Sequence, residues 1–193
     1  MKTVYLIRHG MTAGNKEKCY VGRTDEPLSE EGKLQAAALK DAGLPVFGRV
    51  FTSPYIRCRE TASILFPDTT FTIVQGLREC DFGVFEGKTA EELWGSAEYG
   101  AWLAASCTGA IPGGESVEDF KTRCRNAFFE TMEEADESGS AAFVIHGGCI
   151  MAILEACAVP KRMFYEYHIE NCGFVRCSFD NGALTIEGGS LCS

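Results

Sequence analysis

Two short segments carry the residues best suited to chemistry. Arg8-His9-Gly10 follows the apolar run 4–7, and His146-Gly147-Gly148 follows the apolar run 142–145. Both runs have the length and β-favouring composition of strands buried on two faces. In an open α/β sheet the carboxyl ends of parallel strands gather on one rim, where ligands bind, so the two histidines can meet across a long stretch of chain. Glycine after each histidine permits a sharp turn or close ligand approach. The second triplet also opens a helix, whose free amides and dipole favour an anion. Arg57 follows Ser53-Pro54, a strong helix start, and belongs to the same rim. Two arginines, two histidines and a helix N-terminus describe a phosphate pocket, because the guanidinium fork matches phosphate oxygens. Singly, each has a plainer interpretation: Arg8-His9 as a solvated turn, Arg57 as a solvated helix residue, His146 as a core histidine with one hydrogen bond. His168, the third histidine, lacks such a context and is expected to be structural or at the surface.

Further residues stay ambiguous at this level. Glu79, in Leu77-Arg78-Glu79-Cys80-Asp81-Phe82-Gly83, is either a carboxyl of raised pKa acting as a general acid or a loop carboxylate paired with Arg78. Asn15 is a turn residue or a phosphate donor. Tyr99 and Trp102 either flank a flat aromatic group or pack in the core.

The chain has 193 residues, enough for one domain, 1–193, with a substantial core. A net charge of −9 argues against nucleic-acid and anionic-membrane partners. An anionic substrate then needs a local positive pocket within a repelling field, which makes individual arginines informative. No signal peptide or membrane span is visible. The ten cysteines contain no Cys-x-x-Cys pair and no zinc-like spacing. They are expected to be reduced thiols in a cytoplasmic protein. Cys58, Cys80 and Cys149 lie close in sequence to the residues above. Three histidines without a close ligand pair speak against a metal-dependent hydrolase, and the loop after Ile7 lacks the Gly-x-Gly-x-x-Gly of a dinucleotide site.

The elements that must position these residues follow from periodicity and capping. A loop is expected over 11–27. Ser29 caps a helix with Leu34, Ala37 and Ala38 on its apolar face, stopped by Gly43 and Pro45. A strand is expected over 46–52, then a helix capped by Ser53 with Pro54 at its first position. A short strand, 71–74, leads to a glycine-punctuated loop, 77–87, and Thr89 with Glu92 makes a capping box. Residues 99–105 read as a further short helix. Ser116 with Asp119 opens the longest helix, whose Val117, Phe120, Cys124, Ala127, Phe128 and Ala135 recur at the helical period. Residues 149–158 read as a buried helix, and 174–179 with 183–187 as a hairpin turning at Asp180-Asn181-Gly182. Alternating strands and helices predict a three-layer α/β/α sandwich, with a mostly parallel central sheet and an antiparallel edge hairpin.

With these residues in view, the sequence resembles the histidine phosphatase superfamily, the phosphoglycerate mutase-like fold. The match begins with Arg8-His9-Gly10-x-Thr12-x-x-Asn15, then Gly22, Asp25, Pro27-Leu28-Ser29-Glu30, Gly32 and Gln35-Ala36. It continues through Thr52-Ser53-Pro54 with Arg57 and Thr61-Ala62, then Leu77-Arg78-Glu79 with Phe82-Gly83 and Glu86-Gly87. Pro112-Gly113-Gly114-Glu115-Ser116 and His146-Gly147-Gly148 complete it. The resemblance implies His9 as the nucleophile that becomes phosphohistidine, and Glu79 as the proton donor. Arg8, Arg57 and His146 would bind the phosphoryl oxygens with Asn15 and the Gly147 amide, and Gly22, Tyr99 and Trp102 would face the rest of the substrate. No metal or other cofactor is implied. The insertion that glycolytic mutases carry after the catalytic glutamate is missing, since residues 82–87 run straight into the Thr89 helix. That favours hydrolysis of a small-molecule phosphate ester. The Trp102 helix and compact length resemble α-ribazole phosphatases of cobalamin nucleotide-loop assembly. A cofactor-dependent phosphoglycerate mutase, a broad-specificity sugar phosphatase and a non-catalytic phospho-ligand binder stay open as alternatives, as does the oligomeric state.

Overall fold

Side-chain alternation along the central strands decides which helices cover which face of the sheet. The computed structural model describes residues 1–134 and 139–191, so Ala135 and Cys192 lie outside the described residues. The strands are β1 (Lys2–Arg8), β2 (Arg49–Thr52), β3 (Thr72–Ile73), β4 (Ser140–Ile145), β5 (Ala158–Val159), β6 (Phe174–Asp180) and β7 (Ala183–Gly189). The helices are α1 (Ala13–Lys16), α2 (Glu30–Asp41), α3 (Ile56–Leu65), α4 (Ala90–Leu93), α5 (Ala97–Ala104), α6 (Val117–Glu134) and α7 (Gly147–Cys157). Val4, Leu6, Phe143 and Ile145 point to one side and are covered by Phe120, Cys124 and Phe128 of α6 and Ile150 and Ile153 of α7. Tyr5, Ile7, Ala142 and Val144 point to the other, where Cys58, Ala62 and Leu65 of α3 meet them. The result is the expected three layers.

The sheet runs β3-β2-β4-β1-β6-β7-β5. β3, β2, β4 and β1 are parallel, and β6 is antiparallel to both β1 and β7. Register does the decisive positioning. Arg8 pairs with Ile145, so the next residues, His9 and His146, leave the same rim side by side. Thr52 pairs with Val144 in turn, which delivers Ser53 to that rim. Among the described residues no helix is long and apolar enough to cross a membrane.

Several expectations need correction. The loop 11–27 contains α1, a single turn with a Thr12–Asn15 capping box. Leu34 is 71% exposed, and α2 instead buries Gly32 and Ala36. The cause is contact with the Arg8-His9-Gly10 turn: a Cβ on Gly32 would lie 2.0 Å from Met11 O, and Gln35 Oε1 accepts from Met11 N at 3.0 Å. The second strand starts at Arg49, because its partner Ala141 stands at the head of β4, and Val46 upstream is 94% exposed. Ser53 and Pro54 do not begin α3. Tyr55 is the cap residue, without a side-chain bond, and Asp25 Oδ1 accepts from Ile56 N at 2.7 Å. The hairpin is one strand in from the edge, since the two-residue β5 pairs with β7 outside it.

Candidate active site

His9 sits just past β1, nine-tenths or more buried, with its N–H on Ile145 O at 3.0 Å. Its Nδ1–H donates to Gly10 O at 2.7 Å, which fixes the tautomer and leaves the Nε2 lone pair as the reactive end. Burial and the cations Arg57 and Arg8 hold its pKa well below the ordinary 6.5. The imidazole is therefore neutral, as a nucleophile must be. The loop before β6 locks this turn from behind. Asn171 Nδ2 donates to His9 O at 3.0 Å, Cys172 N reaches His9 O, and Arg8 Nη1 donates to Ile169 O at 2.7 Å.

The second strand end brings His146 against His9, with ring centroids 5.2 Å apart and nearly perpendicular planes. Arg57 is completely buried, and its Nε donates to His146 Nδ1 at 3.3 Å. That leaves the proton on Nε2, which donates to Ser53 Oγ at 2.7 Å. Burial, then Arg57, His9 and Arg8, keep His146 neutral as well. Arg57 also donates to Thr24 O and Gly22 O at 2.7 and 2.9 Å and lies over the Tyr55 ring. The guanidinium retains two further N–H groups for an anion. Ser53, expected to cap a helix, instead orients the second histidine. Its place right after a buried strand, between Thr52 and Pro54, was the available signal.

Glu79 comes from the loop after β3 and meets the start of α7. Its Oε1 accepts from Cys80 N at 2.9 Å and its Oε2 from Gly148 N at 3.1 Å. Its partners are thus backbone amides rather than Arg78. Burial raises its carboxyl above the usual carboxylate range, against the pull of those amides and of Arg57 and Arg8. Gly148 allows this close approach, since a Cβ would stand 2.4 Å from Glu79 Oε1 and push the carboxyl aside. The Gly147 N–H, one residue earlier, is the helix-terminal donor left for an anion, and a Cβ there would lie 3.3 Å from Arg8 Nε. Behind the loop, Arg123 of α6 grips Glu115 through two bonds of 2.8 and 2.6 Å and donates to Gly76 O and Arg78 O at 2.8 and 2.9 Å. Neither Asn171 nor Arg123 was picked out from sequence; only the fold brings them to the site.

Among the other expected residues, Asn15 Oδ1 accepts from Thr12 N and from Asn171 Nδ2, so its NH2 is the end available to an anion. Gly22 is buried with its N–H on Glu86 and its carbonyl on Arg57, so it holds the arginine in place. Beside Glu79 opens a cavity of about 320 Å³, walled by Tyr20, Phe82, Trp102, Phe120 and Phe164. Trp102 lines it. Tyr99 is not among the lining residues: it packs with Phe85, Trp102 and Ile111 and shares a 2.9 Å hydroxyl bond with Tyr20. His168 is exposed near Glu170. Cys58, Cys80 and Cys149 are buried, and burial pushes the Cys58 thiol up to about 12.

Two histidines, two arginines and a carboxyl of raised pKa on one rim are the parts of a phosphoryl-transfer site. The sequence model of the Histidine phosphatase superfamily (branch 1) matches residues 4–189. The chain belongs to the histidine phosphatase superfamily. Within this superfamily, a 2,3-bisphosphoglycerate-dependent phosphoglycerate mutase of Gloeobacter violaceus is 32% identical over 185 residues, 89% of this chain and 83% of the relative. A mutant phosphoserine phosphatase from Entamoeba histolytica, solved in complex with phosphoserine, superposes with a TM-score of 0.85. It is 25% identical and covers 98% of this chain and 97% of that one. The α-ribazole phosphatase from Shigella flexneri shares the fold, with a TM-score of 0.84 and 23% identity over 99% of this chain and 96% of that one.

Proposed function

We propose that this histidine phosphatase superfamily member is a metal-independent phosphomonoesterase that works through phosphohistidine. The observation that carries this is the fixed His9 tautomer, Nδ1–H on Gly10 O with a neutral Nε2 beside two cations. In the first step His9 Nε2 attacks phosphorus and the bond to the ester oxygen breaks. The electron pair stays on that oxygen, which takes a proton from the Glu79 carboxyl and leaves as the alcohol. In the second step the Glu79 carboxylate removes a proton from water, the water oxygen attacks phosphorus, and the P–N bond returns its pair to His9. Inorganic phosphate departs and Glu79 is protonated again. Arg8, Arg57, His146, Asn15 and the Gly147 amide bind the phosphoryl oxygens and stabilise the spread charge, the task that dominates such reactions. For His146 to do so, its Nε2–H must turn from Ser53 Oγ to a phosphate oxygen, because Nδ1 accepts from Arg57 and has no proton to donate.

The substrate is a small phosphorylated metabolite in the cytoplasm, with α-ribazole phosphate the ester to which the sequence resemblance points. A mutase would need to retain phosphohistidine until product rebinds, whereas a site lacking the enclosing insertion gives water access. The test is rapid quench with a 32P-labelled aryl phosphate, with His9→Ala alongside. Acid-labile label on the intact chain, a burst of alcohol and none of either in His9→Ala are expected. Turnover in His9→Ala equal to the parent would overturn the proposal.

A further inference from the structure

The cavity beside Glu79 defines what the leaving group is made of. Among the described residues that line it, Glu79 is the one acid, and there is no Lys, Arg or His. Phe82, Trp102, Phe120, Phe164, Leu103 and Met151 make most of that lining apolar. Lys121 stands 4.5 Å over the Phe164 ring, but its ammonium is paired with Glu155 at 2.7 Å and it does not line the cavity. Glu79 and Gly148, which are bonded to each other, line this cavity and join it to the site, so a leaving group that takes its proton from Glu79 meets this lining.

Resting on the phosphomonoesterase proposal, we infer that the leaving group is an uncharged, largely apolar alcohol, aromatic or aliphatic, seated in this cavity. A carboxylate on that alcohol would meet no cation among the described lining residues, and the Glu79 carboxyl close by. Burying an unpaired charge is strongly unfavourable. Flat apolar groups gain both area burial and ring contacts from the same walls. Phosphoserine and 3-phosphoglycerate, the anions found in structures of a relative, are therefore poor substrates for this chain. A volume of about 320 Å³ is room enough for a fused bicyclic ring.

The experiment compares kcat/KM for 2-naphthyl phosphate, phenyl phosphate, O-phosphoserine and 3-phosphoglycerate, in the parent and in Leu103→Arg. Leu103 lines the cavity and is 38% exposed, so the substitution adds a cation without disturbing the core. Naphthyl phosphate is expected to exceed 3-phosphoglycerate by about a hundredfold or more, the scale of leaving a buried charge unpaired. Leu103→Arg narrows that ratio by at least about tenfold. In parallel, 2-naphthol binding is read from Trp102 fluorescence in a Trp94→Phe background, which requires no turnover. Equal or better use of 3-phosphoglycerate, or no perturbation of Trp102 by 2-naphthol, overturns the inference and leaves the phosphatase proposal standing. Naphthol binding without hydrolysis of any ester overturns the phosphatase proposal instead.

Discussion

His9 and Glu79 are shifted in opposite directions by the same burial, and the pair sets a pH window for turnover. His9 must be neutral, and its depressed pKa carries that form into acid. Glu79 must be protonated, and its raised pKa preserves that form above the usual carboxylate range. The expected kcat/KM profile is a bell, its acid limb from His9, below the ordinary imidazole range, and its alkaline limb from Glu79, above the usual carboxylate range. Glu79→Gln should abolish the alkaline limb and lower the rate by about 10²–10⁴-fold. Ionisation of the ester cancels when parent and variant are compared as a ratio at each pH. An alkaline limb that persists in Glu79→Gln assigns the proton donor elsewhere. The buried thiols belong to the same scale. Cys58 touches the His146 ring through its sulfur at 3.6 Å, yet with its pKa pushed up to about 12 it is a packing group rather than a reactive thiolate.

At the scale of elements, the site depends on how closely α7 approaches the acid loop. Gly148 is the contact point, with Glu79 on one side and the Phe120 ring on the other. Gly148→Ala would place a methyl 2.4 Å from Glu79 Oε1 and 3.1 Å from Phe120 Cζ. The carboxyl must shift, so kcat is expected to fall by about 10²-fold, as misplacements near 1 Å do. Inhibition by inorganic phosphate, which reports the arginine side of the site, should change by less than about threefold by the same reasoning. An unaltered kcat would show that the Glu79–Gly148 bond is dispensable. The loop has a second anchor in the Arg123–Glu115 pair, which ties α6 to the backbone just ahead of Glu79. Capping was legible in sequence where it is local, as at Ser29, Thr89 and Ser116. It was misassigned at Ser53, because the competing partner, His146, comes from a remote strand.

For the molecule as a whole, two neutral histidines in the core couple stability to pH. Their folded pKa values lie below the ordinary 6.5, whereas in the unfolded chain they return to it. Their contribution is fully present above about pH 6.5 and is lost as the pH falls through the folded values. Urea midpoints should therefore drop between about pH 7.5 and about pH 5. The drop should be smaller in a His9→Gln, His146→Gln variant, and an identical drop in both would rule out these histidines as its source. The net charge of −9 adds a field that repels phosphate esters, so attraction rests on Arg8 and Arg57 at short range.

By itself the sequence determined the layered α/β plan and the candidate chemistry at the strand ends. Both are local: strand periodicity, capping pairs, and the triplets Arg8-His9-Gly10 and His146-Gly147-Gly148 are written in contiguous residues. The tertiary structure alone decided the register that sets His9 beside His146, the tautomer of each ring, and the roles of Ser53, Asn171 and Arg123. It alone decided the lining of the cavity too, since those walls come from segments near residues 20, 80, 103, 118, 150 and 164. Such features depend on distances between segments far apart in the chain. Periodicity and propensity carry no information about those distances until packing and register fix them.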